Sequence, residues 1–131
     1  MNLQELQNVI KDSTMIREDP SNNGGIIFLP FVIPGYNESL GIYIKFDEQG
    51  RPSFNDCKYI YNYYYEVGID PNDYSTEINS IINHFGMQLD DEHMMFHCLS
   101  NQENYVMRCL CAYLQALTLL AFIENVKIHK E

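Results

Sequence analysis

The pattern from residue 101 to residue 128 predicts one long helix with apolar residues almost all the way round its circumference. They form a wide stripe at the spacing of an α-helix, and this stripe includes Tyr105, Tyr113 and Leu117. A helix that is apolar over so much of its circumference has to be buried. The rest of a small domain, a second copy of the chain or another protein is expected to cover it. We expect Asn101 to cap this helix.

The long helix is not expected to cross a membrane. Gln115 and Thr118 interrupt the apolar run, and Arg108 and Glu124 lie just outside it, whereas a membrane span needs roughly 20 apolar residues. Segment 2–12 is polar and lacks the basic region and apolar core of an export signal. The sequence therefore predicts a cytoplasmic protein.

The first half of the chain predicts one helix and several strands. Residues 2–11 have the pattern of a short amphipathic helix with Asn2 as its cap. Branched and aromatic residues predict three strands, at residues 26–32, 40–46 and 51–55. A tight turn joins the last two strands in a hairpin. Because Pro30 cannot donate a hydrogen bond to a sheet, the first strand is predicted to be an edge strand or to be interrupted.

The second half begins with two more helices. Residues 59–67 are rich in tyrosine and have a helical period, and Gly68 is placed to end this helix. A third helix is predicted at residues 76–85, with Ser75 or Asp73 as its cap.

A second, shorter hairpin is predicted from residues 87–89 and 93–99, on either side of an acidic turn. The complete order of elements indicates an α+β fold in a single domain, residues 1–131. Short connections favour antiparallel neighbours, since parallel pairing needs long crossovers. We expect a small, mostly antiparallel sheet packed against the long C-terminal helix and two or three shorter helices.

The chain is strongly acidic, with a net charge of -10 from 18 acidic and 8 basic residues. A field of this sign repels phosphate, so direct binding to nucleic acid is not expected. The same field speeds encounters with a basic protein surface. Solubility alone is the simpler explanation of the charge.

The sequence predicts no metal site and no cofactor. Cys109 and Cys111 are two positions apart, so on a helix they point about 200° apart and cannot hold one ion together. Without an export signal, the cysteines are interpreted as buried thiols. His93 and His97 share one face of a predicted strand next to an acidic turn, a pattern that fits either a divalent metal or exposed strand histidines. Exposed histidines are the favoured interpretation.

Asp56 lies where a predicted strand meets the tyrosine-rich helix. A carboxylate there either caps the helix or faces an active-site cleft. Asp56 and Lys58 resemble the acidic and lysine residues that metal-dependent nucleases use to hold magnesium and stabilise charge. Capping is the favoured interpretation, and a hydrolase or nuclease accessory domain centred on these two residues stays as the alternative.

The tyrosine-rich helix has more aromatic residues than one helix face can bury. Three of its tyrosines can face inward, so Tyr61 and Tyr65 are predicted to be exposed. Exposed tyrosine is common in binding surfaces, because it offers a large contact area at little entropic cost. Together with Glu66, Asp70 and Asp73, these tyrosines form the predicted binding surface. The alternative is that their rings lie flat over neighbouring side chains.

The stretch LGIYIKFDEQGRPSFNDCKYIYNYYYEVGID, residues 40–70, resembles a bacterial family of domains of unknown function. In that family a strand hairpin ends in an Asp-containing turn, and a helix and a Gly-hydrophobic-Asp break follow. Here the turn is Asn55, Asp56, Cys57 and Lys58, and Asp56 matches the family's aspartate. The resemblance continues to a closing leucine-rich helix. It implies a fold found in bacteria, phages and other mobile elements, and no established activity.

These observations favour a non-enzymatic interaction protein of the inhibitor, immunity or antitoxin type, encoded by a bacterium or mobile element. Its expected partner is a protein with a basic surface. A homodimer is also expected, since the C-terminal helix has more apolar circumference than a 131-residue monomer easily covers.

Overall fold

The structure is a computed structural model that describes residues 1–12, 15–29, 31 and 33–126. Its strands are β1 (Met15–Asp19), β2 (Gly24–Leu29), β3 (Leu40–Phe46), β4 (Pro52–Asn55), β5 (Gln88–Asp90) and β6 (His93–His97). Its α-helices are α1 (Leu3–Asp12), α2 (Tyr59–Val67), α3 (Ser75–His84) and α4 (Glu103–Ala121). Short 3₁₀ helices cover Pro20–Asn22, Pro71–Tyr74 and Ile123–Asn125. The predicted α+β class is confirmed.

The six strands form one sheet in the order β1-β2-β3-β4-β6-β5. Every neighbouring pair is antiparallel. The first four strands are neighbours in chain order, and β6 then inserts between β4 and β5. This arrangement puts β1 and β5 at the two edges of the sheet.

The hydrophobic core lies between one face of the sheet and α4. The register aligns Ile44, Phe54 and Phe96 across three strands, and the ring of Tyr113 lies 5.5 Å from the ring of Phe54. Helices α2 and α3 pack against α4 in the same layer. The fully buried residues include Leu40, Ile42, Ile60, Tyr64, Met94, Leu117 and Leu120. None of the helices in the described part of the chain has the length and apolar character that a membrane span requires.

The structure corrects the strand predictions near the N terminus. Strand β1 was not predicted, because Arg17, Glu18 and Asp19 hide any apolar alternation. Strand β2 lies between β1 and β3, so the expectation of an edge strand was wrong. It ends at Leu29, directly before Pro30, which agrees with the alternative of an interrupted strand, and the predicted continuation lies partly outside the described residues.

Two predicted helix caps were also wrong. The Asn101 amide donates to the Gln49 carbonyl at 2.9 Å instead of capping α4. Neither Asp73 nor Ser75 caps α3: Tyr74 is at the N-cap position and makes no side-chain cap bond. The carboxylate of Asp70 caps the preceding Pro71–Tyr74 helix, by accepting from the Asn72 N–H. The cap at Asn2 is confirmed, because its Oδ1 accepts from the Glu5 N–H at 2.9 Å.

Helix α4 is shorter than predicted. It ends at Ala121, and the Ile123–Asn125 turn follows it. The predicted continuation beyond residue 126 lies outside the described residues.

Candidate functional site

Helix α2 buries part of its tyrosine cluster in the core. Tyr59 and Tyr64 are 6% and 0% exposed. The Tyr64 hydroxyl donates to the Leu120 carbonyl at 2.5 Å, and the Tyr59 hydroxyl donates to the Glu38 carbonyl at 2.7 Å. These two tyrosines fix α2 to α4 and to the loop before β3.

Tyr65 is the tyrosine of this helix that faces solvent. Its side chain is 57% exposed, and its hydroxyl donates a hydrogen bond to Glu92. Tyr61 was also predicted to be exposed, but it is partly buried, with its ring 5.6 Å from the ring of Tyr64. The prediction for Tyr61 was wrong because residues three apart on a helix contact each other, and here the two rings pack together.

Carboxylates surround the exposed ring of Tyr65. Glu92 accepts its hydrogen bond, and the hydrogen bond together with the charges of Glu92 and Asp70 raises the pKa of Tyr65. Asp91, the next residue of the β5–β6 turn, has a side chain that is 83% exposed. We call Tyr61, Tyr65, Asp70, Asp91 and Glu92 the Tyr65 surface.

The other two residues of the predicted binding surface lie at its margins. Glu66 is exposed, but it faces the flank near Tyr36, where burial together with the charges of Glu38 and Glu66 raises the pKa of Tyr36. Asp73 is exposed within the short helix that Asp70 caps. The structure therefore groups Tyr61, Tyr65 and Asp70 but not Glu66.

Asp91 and Glu92 belong to the surface, although the sequence pattern did not predict them there. Both have a positive φ, of 47° and 66°, as a tight hairpin turn requires. A second turn with positive φ, at Cys57 and Lys58, lies beside it. The Lys58 ammonium is 3.9 Å from Asp91 Oδ2, a weak contact between exposed groups. The acidic turn was visible in the sequence, but its position beside α2 results from the tertiary fold.

Asp56 is a buried carboxylate where β4 meets α2. It is 1% exposed, and its carboxylate accepts three backbone hydrogen bonds, from Lys58 at 3.1 Å, Met94 at 2.9 Å and Ile60 at 3.1 Å. Burial raises the pKa of Asp56, and the three hydrogen bonds oppose that rise. Both oxygens accept from the backbone at the start of α2, although Lys58, not Asp56, is the residue at the N-cap position of this helix. The Lys58 side chain contacts Asp91, and Asp56 offers no exposed oxygen to a metal or substrate.

The two strand histidines each bind a neighbouring polar side chain. His93 Nδ1 is 2.8 Å from Asn55 Oδ1, and His97 Nδ1 is 2.6 Å from Ser53 Oγ. In the part of the chain that the structure describes, no three His, Cys, Asp or Glu side chains are placed to hold a metal ion together.

The cysteines are all free thiols, but only two of them are buried, so the prediction of buried thiols holds for half of them. Cys98 and Cys109 lie in the core, where burial and the neighbouring Cys109 raise the pKa of Cys98 to about 12. Cys57 and Cys111 are exposed.

Comparison with known proteins adds no assignment. No protein-family model, curated protein or solved structure matches this chain. The resemblance to the bacterial domains of unknown function therefore stays a prediction.

Proposed function

We propose that this chain is a non-enzymatic, cytoplasmic interaction domain that binds a basic protein through the Tyr65 surface. The observation that carries this proposal is the exposed Tyr65 ring, whose hydroxyl is held by Glu92. An aromatic ring that is already oriented loses little entropy when a partner covers it.

The surrounding charge supports a basic partner. The charges of Glu92 and Asp70 act on the Tyr65 hydroxyl, and the exposed Asp91 precedes Glu92 in the turn, within a chain whose net charge is -10. Carboxylates in such a position raise the rate of association with a cationic surface, and salt lowers that rate. This chemistry is consistent with an inhibitor, immunity or antitoxin-like factor of a bacterium or mobile element.

A pull-down from a bacterial lysate tests the proposal when two variants are compared with the wild-type chain. Tyr65→Ala removes the exposed ring, and Phe122→Ala removes another exposed ring, 44% exposed, that follows the C-terminal end of α4 and is not part of the Tyr65 surface. We expect a basic protein to be retained by the wild type and by Phe122→Ala but not by Tyr65→Ala. Equal recovery with Tyr65→Ala, or an association rate that salt does not change, would contradict the proposal.

The alternative of a metal-dependent hydrolase or nuclease accessory domain finds no observation in its favour at Asp56. Thermal melting with magnesium, manganese or zinc separates the two proposals, because a ligand that binds only the folded state raises the melting temperature. A rise that disappears in Asp56→Asn would favour the alternative over the interaction domain.

A homodimer, which the sequence also predicts, stays a proposal. Helix α4 leaves Met107, Leu119 and Phe122 exposed, and a second copy would cover such residues. The net charge of -10 on each copy opposes this association. Light scattering at low micromolar concentration distinguishes a dimer from the 15.3 kDa monomer.

A further inference from the structure

A second surface with exposed apolar residues lies at the β1 edge of the sheet, opposite the β5 edge that borders the Tyr65 surface. Ile16 is 68% exposed, Phe46 is 42% exposed and Met107 is 60% exposed. These residues border two adjoining cavities of about 340 and 380 Å³, which share Phe46. We call the combined surface the β1–α4 groove, and its apolar residues are Ile16, Ile27, Ile44, Phe46, Val106, Met107 and Leu110.

The groove is formed where the sheet extends beyond its helical layer. Ile16 pairs with Ile27, and Ile44 lies on the next strand and on the same face. Met107 and Leu110 of α4 line the adjoining cavity. The floor is therefore apolar sheet, with one side of α4 next to it.

The width of the floor fits one helix. From β1 to β3 there are two strand spacings, about 10 Å, and a helix with its side chains is about 10–12 Å wide. Gly25 lies between Glu18 and Ile44 in the register, so no side chain interrupts the floor there. A Cβ atom at Gly25 would lie 2.6 Å from the Arg17 carbonyl oxygen, which makes the glycine a requirement of the strand pairing.

Charge on the groove selects the type of helix. Glu18 and Glu103 line its two cavities and are exposed. Of the lining residues that the structure describes, none is basic. A helix with lysine or arginine beside its apolar stripe would therefore gain electrostatic attraction on top of apolar burial.

We propose that the β1–α4 groove binds an amphipathic α-helix of a partner protein, with an apolar stripe on the floor and basic residues along its flanks. A second copy of this chain is a poorer occupant, since two copies with a net charge of -10 each repel one another. The groove shares no residue with the Tyr65 surface. Substitutions in the groove therefore test this proposal without changing the Tyr65 surface.

Synthetic peptides test the proposal directly. The first probe is a peptide of about 15 residues with leucine at helical spacing, lysine elsewhere and one tryptophan in the apolar stripe. The second replaces every lysine with glutamate. The chain itself contains 0 tryptophan residues, so indole fluorescence reports only the peptide. We expect the emission of the lysine peptide to shift to shorter wavelength on binding, and the glutamate peptide to bind at least ~10-fold more weakly.

Matched substitutions locate the peptide. Ile16→Ser and Met107→Ser should each weaken the lysine peptide about 10-fold, since each removes apolar contact area from the floor or wall. Leu99→Ser and Leu119→Ser are the controls, because these leucines are 74% and 42% exposed and do not line the described groove. The double variant Glu18→Lys, Glu103→Lys should reduce the preference for the lysine peptide over the glutamate peptide, because it reverses the charges that line the groove.

Four results of these peptide experiments would contradict the proposal. Equal affinity for the two peptides would show that charge does not select the occupant, and equal loss in the leucine controls would show that the groove is not the site. A dimer that Ile16→Ser dissociates would identify a second copy as the occupant. Leu3 and Leu6 of α1 are 85% and 43% exposed. Peptide binding that appears only in Leu3→Ser, Leu6→Ser would identify the chain's own α1 as the occupant.

Discussion

Asp56 and Met94 are joined by two hydrogen bonds. The Asp56 N–H donates to the Met94 carbonyl at 3.2 Å, and the Met94 N–H donates to the Asp56 carboxylate at 2.9 Å. The Tyr113 hydroxyl donates to the same Met94 carbonyl at 2.5 Å. Sheet, α2 and α4 therefore meet at one buried carboxylate and one carbonyl.

Asp56→Ala is expected to lower the free energy of unfolding by about 3–5 kcal/mol, because three backbone N–H groups lose their acceptor and two of them are buried. Asp70→Ala is the matched control. Asp70 is exposed and accepts from one backbone N–H, so its loss should cost about 1 kcal/mol. Urea unfolding of both variants measures the difference. Similar midpoints for the two would show that Asp56 does not hold this junction.

Alkaline pH is expected to destabilise the fold through its buried tyrosines. Burial, with smaller contributions from nearby charges, raises the pKa of Tyr59 to about 12 and raises the pKa of Tyr64 and Tyr113 further. In the unfolded chain these phenols lose their protons near pH 10.0, so above that pH the folded state holds more protons. The free energy of unfolding then falls by about 1.4 kcal/mol per pH unit for each such phenol.

Urea unfolding between pH 8 and 11.5 measures this slope. Tyr113→Phe should make it shallower, because one buried phenol is gone. Tyrosine absorbance provides a second measurement, of the loss of phenol protons, since the chain has 10 tyrosines and 0 tryptophans. A slope that is unchanged in Tyr113→Phe would argue against a buried, protonated Tyr113.

Tyr65→Ala and Tyr61→Ala should separate binding from stability. Tyr65 is 57% exposed, so its loss should change the free energy of unfolding by less than about 0.5 kcal/mol. Tyr61 packs on Tyr64, so its loss should cost about 1–3 kcal/mol. Thermal melting of the two variants measures this difference in stability. Equal destabilisation would place Tyr65 in the core and remove the basis of the proposed surface.

Gly25→Ala should weaken the pairing of β1 with β2. The added Cβ would meet the Arg17 carbonyl oxygen at 2.6 Å, so the strands have to separate locally. Amide hydrogen exchange should become faster in β1 and stay slow in β4 and β6. Gly68→Ala is the control for strain elsewhere in the chain. Its φ of 79° makes alanine strained at the end of α2, but a Cβ atom there meets nothing within 4 Å, so exchange in β1 should stay unchanged. Uniform exchange rates along the sheet would contradict this expectation.

The parts of the fold that the sequence predicted have local causes. The β3–β4 hairpin and α2 follow from side-chain period and from turn residues such as Gly68. Strand β1 was not predicted, because it forms through backbone pairing with β2 and its charged sequence gives no strand pattern. Asn101 failed as a cap because Gln49, distant in sequence, offers it a carbonyl.

Only the locally determined part of the candidate site was predicted from the sequence. Tyr65 was identified from helical spacing, and its exposure agrees with that spacing. The position of Glu92 next to it depends on how the β5–β6 hairpin lies beside α2, which no local pattern encodes. The conformation of Tyr61 depends likewise on its neighbour Tyr64.

The insertion of β6 between β4 and β5 has a consequence for the order of folding. Pairing among β1 to β4 needs only short loops, whereas Asp56 and Met94 are 38 residues apart in the chain. Closing that loop lowers the entropy of the chain before any favourable contact has formed. The pairing of β4 with β6 should therefore form late. Substitutions in the β3–β4 hairpin should therefore slow folding, whereas substitutions at Met94 should act mainly by speeding unfolding.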